Sequence, residues 1–206
     1  MHANSKLIFQ KYAIEYLPKT GHVLEIGPDQ FPSTFQELIS RPALIWDTLD
    51  IYKSPQLTYT AISEYDFPIP DNYYDVVLSG QVIEHVRKPW IWMRELARVC
   101  KPGGVVITIN PVSWPFHPAP IDCWRAFPDG MTAVYEDAEL DVILSKFESL
   151  EALQYSRHLP GKSAEWQGKY LRIAYRILGR FGFPVERAYD TVTIGRKVSL
   201  SKTSLL

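Results

Sequence analysis

Glycine and polar residues follow three apolar runs of this 206-residue chain, at places where they would meet a ligand. Gly27 follows the run 22–26, Asp50 ends the run 43–50, and residues 79–81 follow a third run. Gly27 allows a sharp turn and a close backbone approach to a ligand. Asp50 lies at a distance from Gly27 that is typical of an acid accepting hydrogen bonds from a ribose. An ordinary turn residue is the alternative for Asp50, but the three positions together favour a nucleoside site.

Histidines and an arginine form a second set of reactive side chains. His85 opens a loop, while His117 and Arg125 lie in the segment 111–128, which is rich in proline and aromatic residues. His85 suits a general base, although a structural histidine bonded to a backbone carbonyl fits as well. The segment 111–128 suits a lid with Trp124 as a wall and Arg125 as an anion clamp, or a surface loop packed by its own aromatics. We predict His85, His117 and Arg125 as catalytic candidates.

Extended and helical patterns alternate along the chain and place these residues at strand ends. The predicted strands are 22–26, 43–50, 57–61, 74–79, 105–109, 141–157 and 189–198. The predicted helices are 5–17, 34–40, 89–100, 129–138 and 161–180, with Asp129 as an N-cap and a turn over 101–104. The run 74–79 is continuously apolar, as expected for a strand buried on both faces. This alternation predicts an α/β fold with a mostly parallel, doubly wound sheet covered by helices on both faces.

Composition and charge favour one globular domain over residues 1–206. Apolar residues make up 46% of the chain and the formal net charge is −1, so the bulk charge favours neither nucleic acid nor an anionic membrane as a partner. The sequence contains no apolar run of bilayer length and no signal-peptide pattern. Cys100 and Cys123 do not form a disulfide framework or a metal-site spacing. We expect a cytoplasmic protein that is a monomer or a homodimer.

Four motifs in order carry a resemblance to a known family. These are VLEIGPD (23–29), the acid Asp50, DFPIPDNYYDVVLSGQVIEHV (66–86) and ELARVCKPGGVVITINP (95–111). Together they resemble the small class I methyltransferases that use S-adenosylmethionine (SAM). The resemblance covers residues 20–111 strongly and 117–131 weakly. It implies a Rossmann-like sheet of seven strands, of which the last, at 189–198, is antiparallel.

The resemblance also implies a role for each matching position around SAM. Glu25 would orient the amino-acid end of SAM, and Gly27 and Pro28 would line its methionine part. Asp50 would hold the ribose. The remaining implied contacts are Ile51, Ala61 and Ile62 with the adenine, and Ser79, Gly80 and Gln81 with the sulfonium.

Three departures from the family pattern affect these roles. Asp29 replaces a small residue in the first turn, where its carboxylate would pair with the SAM ammonium or narrow the pocket. Ala61 stands where many relatives have an acid, so adenine recognition would depend on backbone groups, Ser63 or Asp66. Some relatives bind a metal through Glu-x-x-Glu-His, but here Gln81 takes the first position. An amide is a poorer ligand than a carboxylate for a hard cation, so we expect no metal.

The expected activity is transfer of a methyl group from SAM to an oxygen or nitrogen of a small polar acceptor, such as a sugar or a natural-product intermediate. One alternative is a non-catalytic protein that binds SAM or a nucleoside as a subunit or sensor, which the altered turn at Asp29 motivates. A second alternative is a nicotinamide-dependent oxidoreductase, because an acid such as Asp50 also suits the ribose of NAD. The missing second and third glycines and the turn over 101–104 count against that oxidoreductase.

Overall fold

A computed structural model describes residues 3–118, 120–151, 188–198 and a few positions between 173 and 181. Most of the predicted helix 161–180 and the end of the predicted strand 141–157 lie outside the described residues. The assignment of 1–206 to a single domain stays a prediction. Among the helices that the structure describes, none combines the length and the apolar character needed to cross a membrane.

Seven strands form one mixed sheet in the order β3-β2-β1-β4-β5-β7-β6. Their bounds are β1 Gly21–Ile26, β2 Leu44–Asp50, β3 Tyr59–Thr60, β4 Tyr74–Gly80, β5 Cys100–Pro111, β6 Leu140–Glu148 and β7 Asp190–Lys197. Strand β7 is antiparallel to both β5 and β6, whereas the pairings among the first five strands are parallel. The predicted doubly wound sheet with one antiparallel strand is therefore confirmed. The chain order reverses between β1 and β4, which is where ligands bind in sheets of this type.

Helices cover both faces of this sheet. Helix α1 (Ala3–Ile8) continues as a π-helical turn and a 3-10 turn to Tyr16, and α2 is a short helix at Thr34–Glu37. Helices α3 (Pro89–Val99) and α4 (Pro128–Asp137) follow β4 and β5. A 3-10 turn over Ile83–His85 connects β4 to α3.

Alternate residues of each strand enter two separate apolar cores. In β4, Val76 and Leu78 join the cluster under α1 and α2, while Val77 joins the cluster under α3 and α4. Strand side chains alternate between faces, so a continuously apolar strand is buried on both. Trp92 and Leu96 of α3 are spaced one helical turn apart and pack into the second of these cores.

Two local predictions are wrong. The predicted turn over 101–104 lies inside β5, where the register against β4 shifts between Tyr74 and Val76. The extra β5 residues are accommodated as a bulge, in which Gly103 has a positive φ of 79°. Asp129 does not cap α4, because Phe127 occupies the N-cap and Asp129 lies in the first turn. Its negative charge there still interacts favourably with the helix dipole.

Helix α4 is held on the sheet by Tyr135, and this contact leaves no room at Gly195 of β7. A Cβ at Gly195 would lie 2.5 Å from Cδ1 of the buried Tyr135 ring. We predict that Gly195→Ala lowers the free energy of unfolding by about 1–3 kcal/mol, measured by urea denaturation. Gly130→Ala in α4 is the matched control, since nothing lies within 4 Å of that added Cβ. It should leave stability unchanged or raise it, and equal losses in both variants would refute the packing argument.

Candidate functional site

A cavity opens where β1, β2 and β4 end, at the point where the strand order reverses. Its wall is formed by residues that follow these three strands, by the segment after β3 and by the inner face of α3. The lining residues are Ile26, Gly27, Leu49, Asp50, Ile51, Tyr52, Glu64, Phe67, Gln81, Val82, His85, Val86 and Trp92. Parallel register brings these distant residues to one edge, because Ile26 pairs with Leu49 on one side and with Ser79 on the other.

Gly27 forms the tightest contact of the cavity wall. Its backbone has a φ of 69°, and its N–H donates to the Leu49 carbonyl at 2.9 Å. A Cβ on Gly27 would lie 2.4 Å from Cγ2 of Val82, the residue that follows Gln81 after β4. The turn after β1 and the segment after β4 therefore touch through a position that only glycine fits.

Asp50 and Ile51 lie at the end of β2, on the opposite side of the cavity. One carboxylate oxygen of Asp50 accepts a hydrogen bond from the backbone N–H of Tyr52 at 2.9 Å. The Asp50 carbonyl accepts from the N–H of Ala61 at 2.9 Å, which ties the end of β2 to the segment after β3. Asp50 is thus held at the cavity wall with its second carboxylate oxygen open to further donors.

Seven predicted cofactor residues do not line this cavity, and four of them follow β3 or end β4. Ala61 is buried in the core under α3, and Ile62 is 71% exposed. Ser79 and Gly80 are buried at the end of β4 beneath the turn that carries Gln81. Their predicted contacts with adenine and sulfonium stay predictions, and Ala61 contributes here through its backbone.

Gln81 adopts a strained backbone at the end of β4. It is a non-glycine residue with a φ of 60°, and its N–H donates to the Ile109 carbonyl at 2.8 Å. Its side-chain amide donates to Ser5 Oγ at 3.0 Å and lies 3.4 Å from a carboxylate oxygen of Asp190. Residues in such conformations cluster at functional sites, where surrounding contacts hold them in place. Gln81 thereby connects the N-terminal helix, β5 and β7 to the cavity wall.

Glu25 and Asp29 support the turn after β1 from behind. Glu25 is buried, and its Oε2 accepts from Ser33 Oγ and, at 2.8 Å, from Trp46 Nε1. Burial raises the pKa of Glu25 to about 7, although these hydrogen bonds lower it. Asp29 accepts from the N–H of Thr34 at 3.0 Å and from its hydroxyl at 2.7 Å.

The Asp29 carboxylate is therefore engaged at the start of α2. This arrangement explains the acid in the first turn without a ligand, because helix N-termini have free N–H donors that an acid satisfies. Pro28 lies half-buried between these two acids, outside the residues that line the cavity.

A second cluster of polar groups adjoins the cavity at His85. Glu84 is fully buried, and neither of its carboxylate oxygens has a hydrogen-bond partner among the described residues. Burial raises the pKa of Glu84 to about 8, against the lowering effect of the Arg125 charge. Nε2 of His85 lies 3.7 Å from Glu84 Oε1, and Nε2 of His117 lies 4.0 Å from the same oxygen. The structure thus brings together His85 and His117, which are 32 positions apart in the chain.

The segment 111–128 is docked on the residues after β4. The N–H of Cys123 donates to the Glu84 carbonyl at 2.6 Å, and Trp124 Nε1 donates to the Val86 carbonyl at 2.8 Å. His85 Nδ1 lies 2.5 Å from the Ile121 carbonyl oxygen. These bonds support the interpretation of His85 as a histidine bonded to a backbone carbonyl.

Arg125 pairs with an acid instead of pointing into the cavity. Its guanidinium forms a two-pronged ion pair with Asp122, with one N–O distance of 2.6 Å, and reaches the Trp114 carbonyl at 3.4 Å. The N–H of His117 donates to Asp122 at 2.8 Å. Burial raises the pKa of Asp122, but the hydrogen bonds from Arg125 and from the His117 N–H outweigh it and lower this pKa to about 2. These contacts favour a structural role for Arg125 in the loop over the predicted anion clamp.

Several cavity residues were not predicted from the sequence as site residues. Glu64 accepts from the backbone and the guanidinium of Arg87, which joins the segment after β3 to the one after β4. Nothing in the local sequence indicates that pairing. Trp92 of α3 is 2% exposed and packs into the core, and it also lines the cavity. The others are Ile26, Leu49, Tyr52, Phe67, Val82 and Val86, of which Tyr52 and Val82 directly follow predicted positions.

The contact between Gly27 and Val82 predicts a large effect of one methyl group. Gly27→Ala should lower the free energy of unfolding by about 2–4 kcal/mol, since backbone strain and overpacking add. Gly103→Ala shares the positive φ but has open space around the new Cβ, so it should lose only about 1 kcal/mol. Chemical denaturation of both variants measures the difference, and equal losses would show that the close approach to Val82 has no energetic weight.

The buried Glu25 carboxyl predicts a pH-dependent stability. The pKa of Glu25 is raised from 4.5 to about 7 in the folded state. The neutral carboxyl therefore contributes its full stabilisation of the fold below pH 4.5, and this contribution is lost as the pH rises to 7. Relative to the wild-type protein, the free energy of unfolding of Glu25→Gln should therefore rise by roughly 3 kcal/mol between pH 4.5 and 8. Urea denaturation across this range is the measurement. The exposed Glu37→Gln is the control, and parallel curves for Glu25→Gln and wild type would contradict the prediction.

Comparisons with known proteins find methyltransferase matches for part of this chain. Residues 39–108 match the family model described as "Methyltransferase domain". An uncharacterized methyltransferase of Mycobacteroides abscessus is 42% identical over 97 residues, which are 41% of this chain and 38% of that protein. The matched part thus spans about two fifths of that curated relative.

Solved structures of low sequence identity share the fold. A SAM-dependent methyltransferase from Archaeoglobus fulgidus aligns with a TM-score of 0.59 at 16% identity, over 93% of this chain and 92% of that one. The phosphoethanolamine N-methyltransferase 2 of Haemonchus contortus, solved with phosphomonomethylethanolamine and S-adenosylhomocysteine, aligns with a TM-score of 0.61 at 14% identity, over 96% and 53% of the two chains. The resemblance seen in the sequence is confirmed: the chain has the fold and the central sequence motifs of the class I SAM-dependent methyltransferases.

Proposed function

We propose that this chain transfers the methyl group of SAM to an oxygen or nitrogen of a small polar acceptor. The observation that carries the proposal is the cavity at the strand-order reversal, whose wall includes Gly27, Asp50, Ile51 and Gln81. All four were expected around SAM from the sequence motifs alone. Ligands of doubly wound sheets bind at this position.

The residues of the cavity suit the parts of SAM. Gly27 lets the turn after β1 pack directly against Val82, because a Cβ there would clash with the Val82 side chain, and this turn forms part of the wall that SAM would contact. The carboxylate of Asp50 would accept the ribose hydroxyls, and the half-exposed Ile51 would cover the adenine. Gln81 and Val82 would flank the methionine end. The hydrogen bonds from Thr34 give Asp29 a structural role, which supports the catalytic proposal over a non-catalytic binding protein.

The acceptor would lie between the cavity and the segment 111–128. SAM supplies a methyl group that is already activated, so the protein contributes mainly position and electrostatics. His85 lines the cavity and also contacts the segment 111–128, and His117 lies beside it with ring centroids 5.1 Å apart. An acceptor hydroxyl or amine would meet these imidazoles, while the docked loop would keep bulk water out. A small acceptor is supported by the N-methyltransferase 2 of Haemonchus contortus, which was solved with phosphomonomethylethanolamine.

The cofactor part of the proposal is tested by calorimetric binding of S-adenosylhomocysteine. Asp50→Asn should weaken binding by roughly tenfold to a hundredfold, because hydrogen bonds to a charged acceptor contribute about 1.5–3 kcal/mol. Asp141→Asn on the exposed side of β6 is the control and should bind like wild type. Binding of NADH in place of the adenosyl compound would favour the oxidoreductase alternative.

The catalytic part is tested by incubating the purified protein with labelled SAM and a panel of small sugars, alcohols, phenols and amines. Label in a small acceptor, accompanied by S-adenosylhomocysteine, is the expected result. Label found only in RNA, DNA or protein substrates would overturn the proposed acceptor class. Binding without transfer to any acceptor would favour the non-catalytic alternative.

A further inference from the structure

Glu84 is a fully buried carboxylate beside His85 and His117. Its side chain is 0% exposed, and both oxygens lack a partner within the described part of the chain. A buried carboxylate in this state is costly, and in folded proteins such groups are paired, protonated or bound to a metal. The arrangement of the neighbouring side chains decides among these possibilities.

Two imidazoles present the same ring nitrogen to Glu84. Nδ1 of His85 lies 2.5 Å from the Ile121 carbonyl, and Nδ1 of His117 lies 2.9 Å from the Pro115 carbonyl. A carbonyl oxygen only accepts hydrogen bonds, and Nδ1 of His117 also lies nearer to the acceptor Asp122 Oδ2, at 3.3 Å, than to the donor Arg125 Nη2, at 3.5 Å. A proton on each Nδ1 satisfies these acceptors, and in the neutral ring each Nε2 then has a free lone pair. Both lone pairs then belong to nitrogens that neighbour the same carboxylate oxygen.

The distances between these atoms do not fit direct hydrogen bonds. The separations of 3.7 and 4.0 Å from Glu84 Oε1 exceed the usual 2.7–3.2 Å of an N···O hydrogen bond. A proton on Glu84 Oε1 would therefore not form a hydrogen bond of normal length to Nε2 of either histidine. Two ligand atoms that each lie about 2.1 Å from a metal are at most about 4.2 Å apart, which accommodates both separations.

We propose that Glu84, His85 and His117 bind one divalent cation of the imidazole-preferring kind, such as Zn²⁺. Their three ligand atoms lie within 4.8 Å of one another, so small side-chain movements complete the site. Two imidazoles and one carboxylate suit zinc and its neighbours, whereas Mg²⁺ and Ca²⁺ prefer oxygen ligands. The carbonyls that fix each Nδ1 are the outer partners that metal-binding histidines usually have.

The proposed site differs from the Glu-x-x-Glu-His pattern that led the sequence analysis to expect no metal. Gln81 is engaged with Ser5 and is not needed, because the segment 111–128 supplies His117 as the third ligand. The Glu-x-x-Glu-His pattern spans only residues 81–85, so it does not include a ligand from a distant loop.

The site leaves at least one coordination position open, since a catalytic metal commonly has three protein ligands. His85 also lines the cavity, so that position adjoins the proposed acceptor space. If the proposed function holds, an acceptor hydroxyl bound there would lose its proton more easily. The two imidazoles would then act through the cation and not as free bases.

The test measures Zn²⁺ binding to the tag-free, chelator-treated full chain in the absence of SAM. Calorimetry gives the affinity and stoichiometry, and thermal unfolding gives the change in midpoint. One Zn²⁺ per chain and a raised unfolding midpoint are expected, with no rise from Mg²⁺. His117→Gln should weaken Zn²⁺ binding by at least about tenfold. His22→Gln, which removes an imidazole of β1 outside the cluster, is the matched control and should bind like wild type.

Glu84→Gln keeps the proposal testable if a histidine variant unfolds. Without metal it should be at least as stable as wild type, because a neutral amide is less costly to bury than an ionised carboxylate. It should also lose the response to Zn²⁺. Unchanged Zn²⁺ binding in both ligand variants, or none in wild type, would overturn the metal site. Because no cofactor is present in this test, its outcome is separate from that of S-adenosylhomocysteine binding.

Discussion

The close packing of Gly27 against Val82 is the constraint on which the cavity depends. It fixes the turn after β1 against the segment after β4, and the same turn is bonded through its N–H to Leu49 at the end of β2. Three strand ends are thereby locked at one edge of the sheet. The parallel register then places Asp50 and Gln81 on opposite sides of one space, although they are distant in the chain.

Much of the fold was predictable because it depends on local periodicity. The continuous apolar run of β4, the glycine turn after β1 and the proline-led helix α3 each indicate their structure within a dozen residues. The predictions that are wrong depend on tertiary contacts. The KPGG segment has the composition of a turn, but β5 pairs with β4 on both sides of it, at Cys100 and from Val105 onward, so the strand continues through the segment as a bulge.

The candidate site divides in the same way. Gly27, Asp50 and Gln81 follow strands directly, so a pattern of strand ends finds them. Glu64 lies at the cavity only because Arg87 binds it from the next segment, and no local signal reports that contact. Asp29 shows the opposite case, since an acid beside a glycine turn suggested a ligand contact but serves the start of α2.

The segment 111–128 gives the second cluster its chemistry. By covering the residues after β4, it buries Glu84 and, through two of its own carbonyls, sets the protonated nitrogen of both imidazoles. The ion pair of Asp122 with Arg125 holds the loop in that position, and the N–H of His117 is bound to the same acid. One loop therefore removes water from the Glu84 carboxylate and places the His117 imidazole near it. That coupling accounts for an acid that has no hydrogen-bond partner among the described residues.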